Sequence, residues 1–244
     1  MKITTLLFIT LSSTAQAQIF SYQVDLHDQY EKDVAGKSPQ QVKKDNMAYY
    51  QKFLTVDVNS KQLNQTYASD LGKPKYLSQK NAVETWVAAI SNPIIGTGND
   101  RKYDPTYGIG FCFGRALFVD LYLTLNGFNQ GSIKKIFVVG PMTNDWSWHV
   151  ATMVQGLDEN KKEKWLVLDP IIFKVVEVVE WFKDFEAISA DGKIRMYITE
   201  ANKFSIAPLK YQQENYQGYN GYFEDMFRWM DENQVQGKLV LDKI

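Results

Sequence analysis

The stretch Cys112 to Leu125 (CFGRALFVDLYLTL) constrains the fold more than any other part of the chain. At helical spacing it is apolar on nearly every face, so a helix here has no side to give to water and has to be buried at the centre. Asn126-Gly127 follows, a pair suited to the left-handed turn that ends a helix. A central helix needs partners to cover it, and the segments after it read as strands. Lys135 to Gly140 (KIFVVG) is β-branched and stopped by Pro141. Trp146 to Gln155 (WSWHVATMVQ) and Lys164 to Asp169 (KWLVLD) flank a polar turn, Gly156 to Glu163 (GLDENKKE), which is the pattern of an antiparallel hairpin. A helix within Val175 to Phe185, a strand at Lys193 to Thr199 and an amphipathic helix at Tyr222 to Asn233 complete the reading. Upstream, Asn81 to Ile90 (NAVETWVAAI) has helical spacing and is stopped by Asn92-Pro93; a loop with Gly96, Gly98, Gly108 and Gly110 then leads to Cys112. The expected class is α+β, a central helix packed on an antiparallel sheet.

Residues 1–17 read as an export signal. Lys2 supplies the positive start, Ile3 to Thr14 is apolar, and Ala15-Gln16-Ala17 is a small-x-small cleavage site. That run is too short to span a bilayer, and no other stretch approaches the roughly 20 apolar residues a spanning helix requires. The expectation is a secreted chain, periplasmic or extracellular, without a membrane span. Residues 18–79 are rich in Lys, Gln and Asn, with apolar anchors at Phe20, Tyr49, Tyr50, Phe53 and Leu54. They read as loops plus one helix around residues 40–54, forming a cap, a cleavable pro-like segment or an intramolecular plug ahead of a catalytic domain at 80–244. The 27 Lys and Arg nearly balance the 28 Asp and Glu, so no global field attracts nucleic acid or an anionic membrane surface.

Cysteine usage narrows the chemistry. Exported proteins usually hold cysteines in pairs, yet Cys112 is the single one here and cannot pair within the chain. It stands at the first turn of the central helix, directly after the Gly108 to Phe111 loop. Unpaired backbone N–H groups and the helix dipole favour negative charge there, which suits a thiolate nucleophile, and the same N–H groups can hold an oxyanion. The alternative is a buried Cys acting as a small hydrophobe.

Two histidines could serve as its proton shuttle. His27 lies in a polar stretch near the mature N-terminus and reads as exposed; His149 lies mid-strand. If the hairpin is symmetric about Glu159-Asn160, residues whose numbers sum to about 319 face each other, so His149 faces residue 170, next to Asp169. A carboxylate there can accept the imidazole N–H and fix its tautomer. Ser147 and Ala151, sharing a face with His149, are small enough for the central helix to approach on that side. Asp169 has a simpler reading too, since Asp-Pro commonly ends a strand with a turn. No G-x-S-x-G elbow and no histidine-cysteine cluster of metal-ligand spacing is present, and the loose glycine pattern at Gly108, Gly110 and Gly114 follows no clear strand; no metal or cofactor is expected.

The runs Cys112-Phe113-Gly114-Arg115-Ala116, Phe137-Val138-Val139-Gly140, Trp146-Ser147-Trp148-His149-Val150-Ala151 and Leu168-Asp169-Pro170-Ile171-Ile172-Phe173 together resemble the secreted bacterial protein-glutaminases. The resemblance covers roughly Lys80 to Phe173 and fades toward both ends. It implies a papain-like, transglutaminase-like core in which Cys112 is the nucleophile, His149 the general base and acid and Asp169 the orienting carboxylate. Arg115 would be structural, reaching a carboxylate or backbone carbonyls. It further implies hydrolysis of glutamine side-chain amides in protein or peptide substrates and an inhibitory pro-segment. The chain departs from the family in having no disulfides and a shorter N-terminal segment. The same three residues also suit a papain-like protease or a transglutaminase, and a secreted binding module with an inert Cys112 is the non-enzymatic alternative. For a second oxyanion donor the reading offers only Asn99, or an Asn or Gln of the N-terminal region.

Overall fold

A computed structural model describes residues 22–64, 76–158 and 160–242. The segment at 1–17, expected to be an export signal, lies outside the described residues. The helices are α1 (Leu26–Val34), α2 (Pro39–Asn64), α3 (Gln79–Ile90), α4 (Cys112–Leu125), α5 (Val178–Ala187), α6 (Gln213–Tyr216) and α7 (Tyr222–Glu232). The strands are β1 (Ile133–Val139), β2 (Trp148–Leu157), β3 (Glu163–Leu168), β4 (Val176–Glu177) and β5 (Arg195–Glu200). They form one antiparallel sheet in the order β4-β3-β2-β1-β5, so the chain is α+β with the cysteine-bearing helix on an antiparallel sheet. None of the described helices is long and apolar enough to cross a membrane.

Each face of the sheet carries its own apolar core, because side chains alternate along a strand. On one face Phe137, Val139, Val150, Val154, Leu166 and Leu168 pack with α4 and α7. The contact is close: the Thr152 hydroxyl donates to the Ala116 carbonyl of α4. On the other face Ile136, Val138, Ala151, Met153 and Val167 pack with Trp181, Phe182 and Phe185 of α5 and with Tyr49, Tyr50 and Phe53 of α2. The expected approach of the central helix to the Ala151 face is therefore corrected. The helix lies on the Trp148, Val150, Thr152 face, where the apolar side chains of α4 find large partners instead of small ones.

The hairpin register also differs from expectation. Thr152 pairs with Leu168 and Met153 with Val167, so partner numbers sum to 320 and not 319. One residue matters here because it exchanges faces. In the observed register odd numbers share a face, which puts His149, Ala151 and Asp169 together, toward α5. Asp158 sets this register by bending the turn: its side chain accepts the N–H groups of Asn160 and Lys162 at 2.9 Å each.

Among the described residues, the segment read as loops plus a single helix shows two helices, α1 and α2, and both are bound to the sheet. Leu26 and Tyr30 enter the α4-side core. Asn46 and Tyr49 of α2 bond the outer edge of β5: Asn46 donates to Ile194 O and accepts from Met196 N, at 2.9 and 3.1 Å, while the Tyr49 hydroxyl accepts from Ile198 N at 2.8 Å and donates to Ile198 O at 3.3 Å.

Candidate active site

The thiol is placed by the backbone ahead of it. Asp104 accepts the N–H groups of Gly108, Ile109 and Gly110 at 2.9, 2.8 and 3.0 Å, folding the loop around its carboxylate. Burial would raise the Asp104 pKa, but these donors outweigh it and hold the carboxyl below its ordinary value. Arg115 ties the same loop to α4, pairing with Asp100 at 3.2 Å and donating to the Gly110 carbonyl. The helix then starts from Phe111 in the left-handed region, φ 48°. For a bulky residue that costs on the order of 1–2 kcal/mol. Stacking offsets it, since the fully buried Phe111 ring lies on Tyr222 of α7 with centroids 4.0 Å apart.

Tyr222 also explains a glycine inside a helix. A Cβ on Gly114 would lie 2.4 Å from its Cε1, so only glycine lets α4 and α7 approach this closely. The Tyr211 hydroxyl donates to the Phe113 carbonyl and fixes the same first turn. The N–H groups of Cys112 and Phe113 have no acceptor within the helix, as for any helix start, and Phe111 offers no side-chain cap.

His149 and Asp169 come from the two strands where their ladder ends. The β2–β3 pairing stops at Thr152 and Leu168, and the strand ends beyond it carry the imidazole and the carboxylate. His149 Nε2 donates to Asp169 Oδ2 at 2.8 Å, both side chains being 2% exposed. With Nε2 engaged, Nδ1 is the ring nitrogen left for Cys112, which interacts electrostatically with the imidazole and lines the same cleft. Rings hold its plane: Trp146 stacks at 5.5 Å and Phe185 at 4.9 Å between centroids. Burial disfavours the imidazolium, but the charge and hydrogen bond of Asp169, with a smaller contribution from Cys112, overcome it and raise the His149 pKa to about 9. For Asp169 burial acts upward, opposite to its effect on His149, and His149, the Trp181 indole and the Ile171 N–H together keep it lowered.

All three residues singled out from the sequence are thus adjacent, and His27 is elsewhere, on the exposed side of α1. Cys112 and His149 open into a cleft of about 160 Å³ walled by the Tyr107 to Gly110 loop and by Asp145 to Trp148. No described residue before Tyr107 lines it. Asn99, considered above as an oxyanion donor, is corrected: its amide donates to the Asn92 carbonyl at 3.0 Å and braces its own loop. The sequence reading missed Tyr222, Tyr211 and Trp181. The spacing Val178, Trp181, Phe182, Phe185 places Trp181 on a buried helix face, but its N–H partner depends on tertiary packing. Among the described residues no group of three or more His, Cys, Asp or Glu side chains is arranged to hold a metal.

Solved protein-glutaminase structures are similar to this chain. The NMR structure of the protein-glutaminase from Chryseobacterium proteolyticum aligns at 22% identity over 59% of this chain and 84% of its own, with a TM-score of 0.44. A crystal structure of pro-protein-glutaminase aligns at 16% identity over 64% of this chain and 60% of its own, with a TM-score of 0.47. A crystal structure of protein-glutaminase gives 16%, 63% and 90%, with a TM-score of 0.44. No protein-family model matches the sequence, and no curated protein does.

Proposed function

We propose that this chain is an exported cysteine hydrolase that converts glutamine side chains of proteins to glutamate, with release of ammonia. The observation that carries the reading is a line of three groups: a thiol at a helix start, an imidazole that lines the same cleft, and behind it a buried carboxylate 2.8 Å from the Nε2 of that ring. The choice of glutamine over a backbone amide is supported by the motif resemblance around Cys112, His149 and Asp169.

In this reading His149 Nδ1 already holds the proton drawn from Cys112, in keeping with its raised pKa, when Cys112 Sγ attacks the carboxamide carbon. The oxyanion forms beside the free N–H groups of Cys112 and Phe113, a contribution of roughly 3–4 kcal/mol per donor in well-studied sites. His149 returns the proton to the departing nitrogen, and ammonia leaves a thioester. Water then attacks the thioester carbon, giving its proton to His149; the C–S bond breaks, and glutamate and the thiol are restored. Asp169 keeps Nε2 protonated throughout, so Nδ1 is the nitrogen that exchanges the proton.

The test is incubation of the purified chain with casein, with ammonia and intact mass as readouts. Cys112-dependent ammonia release with a gain of about one mass unit per modified glutamine supports the reading. Shortened chains would reassign the site to a protease and cross-linked chains to a transglutaminase.

A further inference from the structure

The carboxylate that orients His149 is not devoted to it. Asp169 Oδ2 accepts the Nε2–H of His149 and the Nε1–H of Trp181, each at 2.8 Å. Oδ1 takes the Ile171 N–H at 3.2 Å, and a second indole, that of Trp86, donates to the carbonyls of Asp169 and Ile172 at 3.1 and 3.0 Å. Trp181 is fully buried on α5, 4.7 Å from the Phe185 ring that stacks on His149.

We infer that Trp181 is a positioning residue of this site: its indole N–H fixes Asp169 Oδ2 in line with His149 and takes up part of its charge, so the imidazolium is held less tightly than by a carboxylate it did not share. A donor on an oxygen stabilises its negative charge and weakens it as an acceptor for a second donor. Sharing one oxygen therefore keeps the base able to release its proton, while the remaining contacts keep its direction. The titratable groups facing His149 among the described residues are Asp169 from the end of β3 and Cys112 from α4. From α5 it meets the uncharged rings of Trp181 and Phe185; from the β1–β2 loop it meets the Trp146 ring, with Asp145 on the same cleft wall.

The catalytic consequence rests on the function proposed above; the effect on the imidazole does not, so the test reads the imidazole. The full chain carrying His27→Gln has His149 as its single histidine, and NMR of labelled histidine follows its titration directly. The expected midpoint moves up by about half a pH unit or more when Trp181→Phe is added. In the chain with Trp181 intact, its indole N–H resonance shifts with the same midpoint as His149, a readout that needs no folded variant. A midpoint that is unchanged or lower in a folded Trp181→Phe chain, or an indole signal flat through the His149 transition, overturns the inference. A chain that shows both expected responses but no Cys112-dependent ammonia release keeps Trp181 in this role and removes the proposed function instead.

Discussion

The two faces of the sheet contribute to the site by different means. On the α4 face the thiol is held by backbone: a loop wrapped around Asp104, a left-handed Phe111, a helix start and a glycine that admits Tyr222. On the α5 face the imidazole and carboxylate are held by side-chain hydrogen bonds and stacked rings. The first arrangement is sensitive to shape and the second to charge, and the cleft lies where both reach the same strand end.

Four substitutions and a pH series would break or sharpen that contrast. Cys112→Ala should lower ammonia release by about 10⁴-fold or more while leaving thermal unfolding nearly unchanged, because the thiol is small and at the edge of its core. Asp169→Asn should lower activity by roughly 10²–10⁴-fold and, unlike the first, also cost about 3 kcal/mol in denaturant unfolding, since it strands a buried partner. Gly114→Ala should cost about 1–3 kcal/mol and reduce activity through the displaced helix start, with the His149 titration unmoved. Equal loss of structure and of the His149 signal in both of these variants would show that the faces do not act separately.

The pH series concerns only the charge-held face. The folded His149 value is raised from 6.5 to about 9, so its stabilisation is complete below about pH 6.5 and disappears as pH rises through 9. The difference in unfolding free energy between the parent and His149→Gln should shrink over that window, and ammonia release should fall on the same alkaline limb as the general acid is lost. The smallest effect is expected at Tyr49→Phe, which leaves the Ile198 N–H without its acceptor: about 1 kcal/mol of stability with activity unchanged.

How much of this was legible in the sequence varied with how local the cause was. Helix α4 runs over the expected residues because its apolar run and Asn126-Gly127 stop are local signals. Cys112, His149 and Asp169 followed from scarcity and chain order. The face of the sheet that meets α4 did not, because it turns on a one-residue register set by Asp158 in a turn that otherwise reads only as polar. Helix α1 escaped notice because just Leu26 and Tyr30 anchor it. Phe111 gave no hint of a positive φ, since the compensating Tyr222 lies more than a hundred residues away. Tyr222 itself read as an ordinary position of an amphipathic helix.

The contacts of Asn46 and Tyr49 along β5 have a consequence for self-association. A border strand with free donors and acceptors is a template on which a strand of another molecule can grow. Here the template positions at Ile194, Met196 and Ile198 are already occupied by a helix formed from one of the earliest parts of the chain, while the strand it guards is among the latest. During synthesis the guard thus emerges before the strand that needs it, and at the opposite border β4 is only two residues long. Crowded molecules of this protein are left with little strand border on which to build a shared sheet.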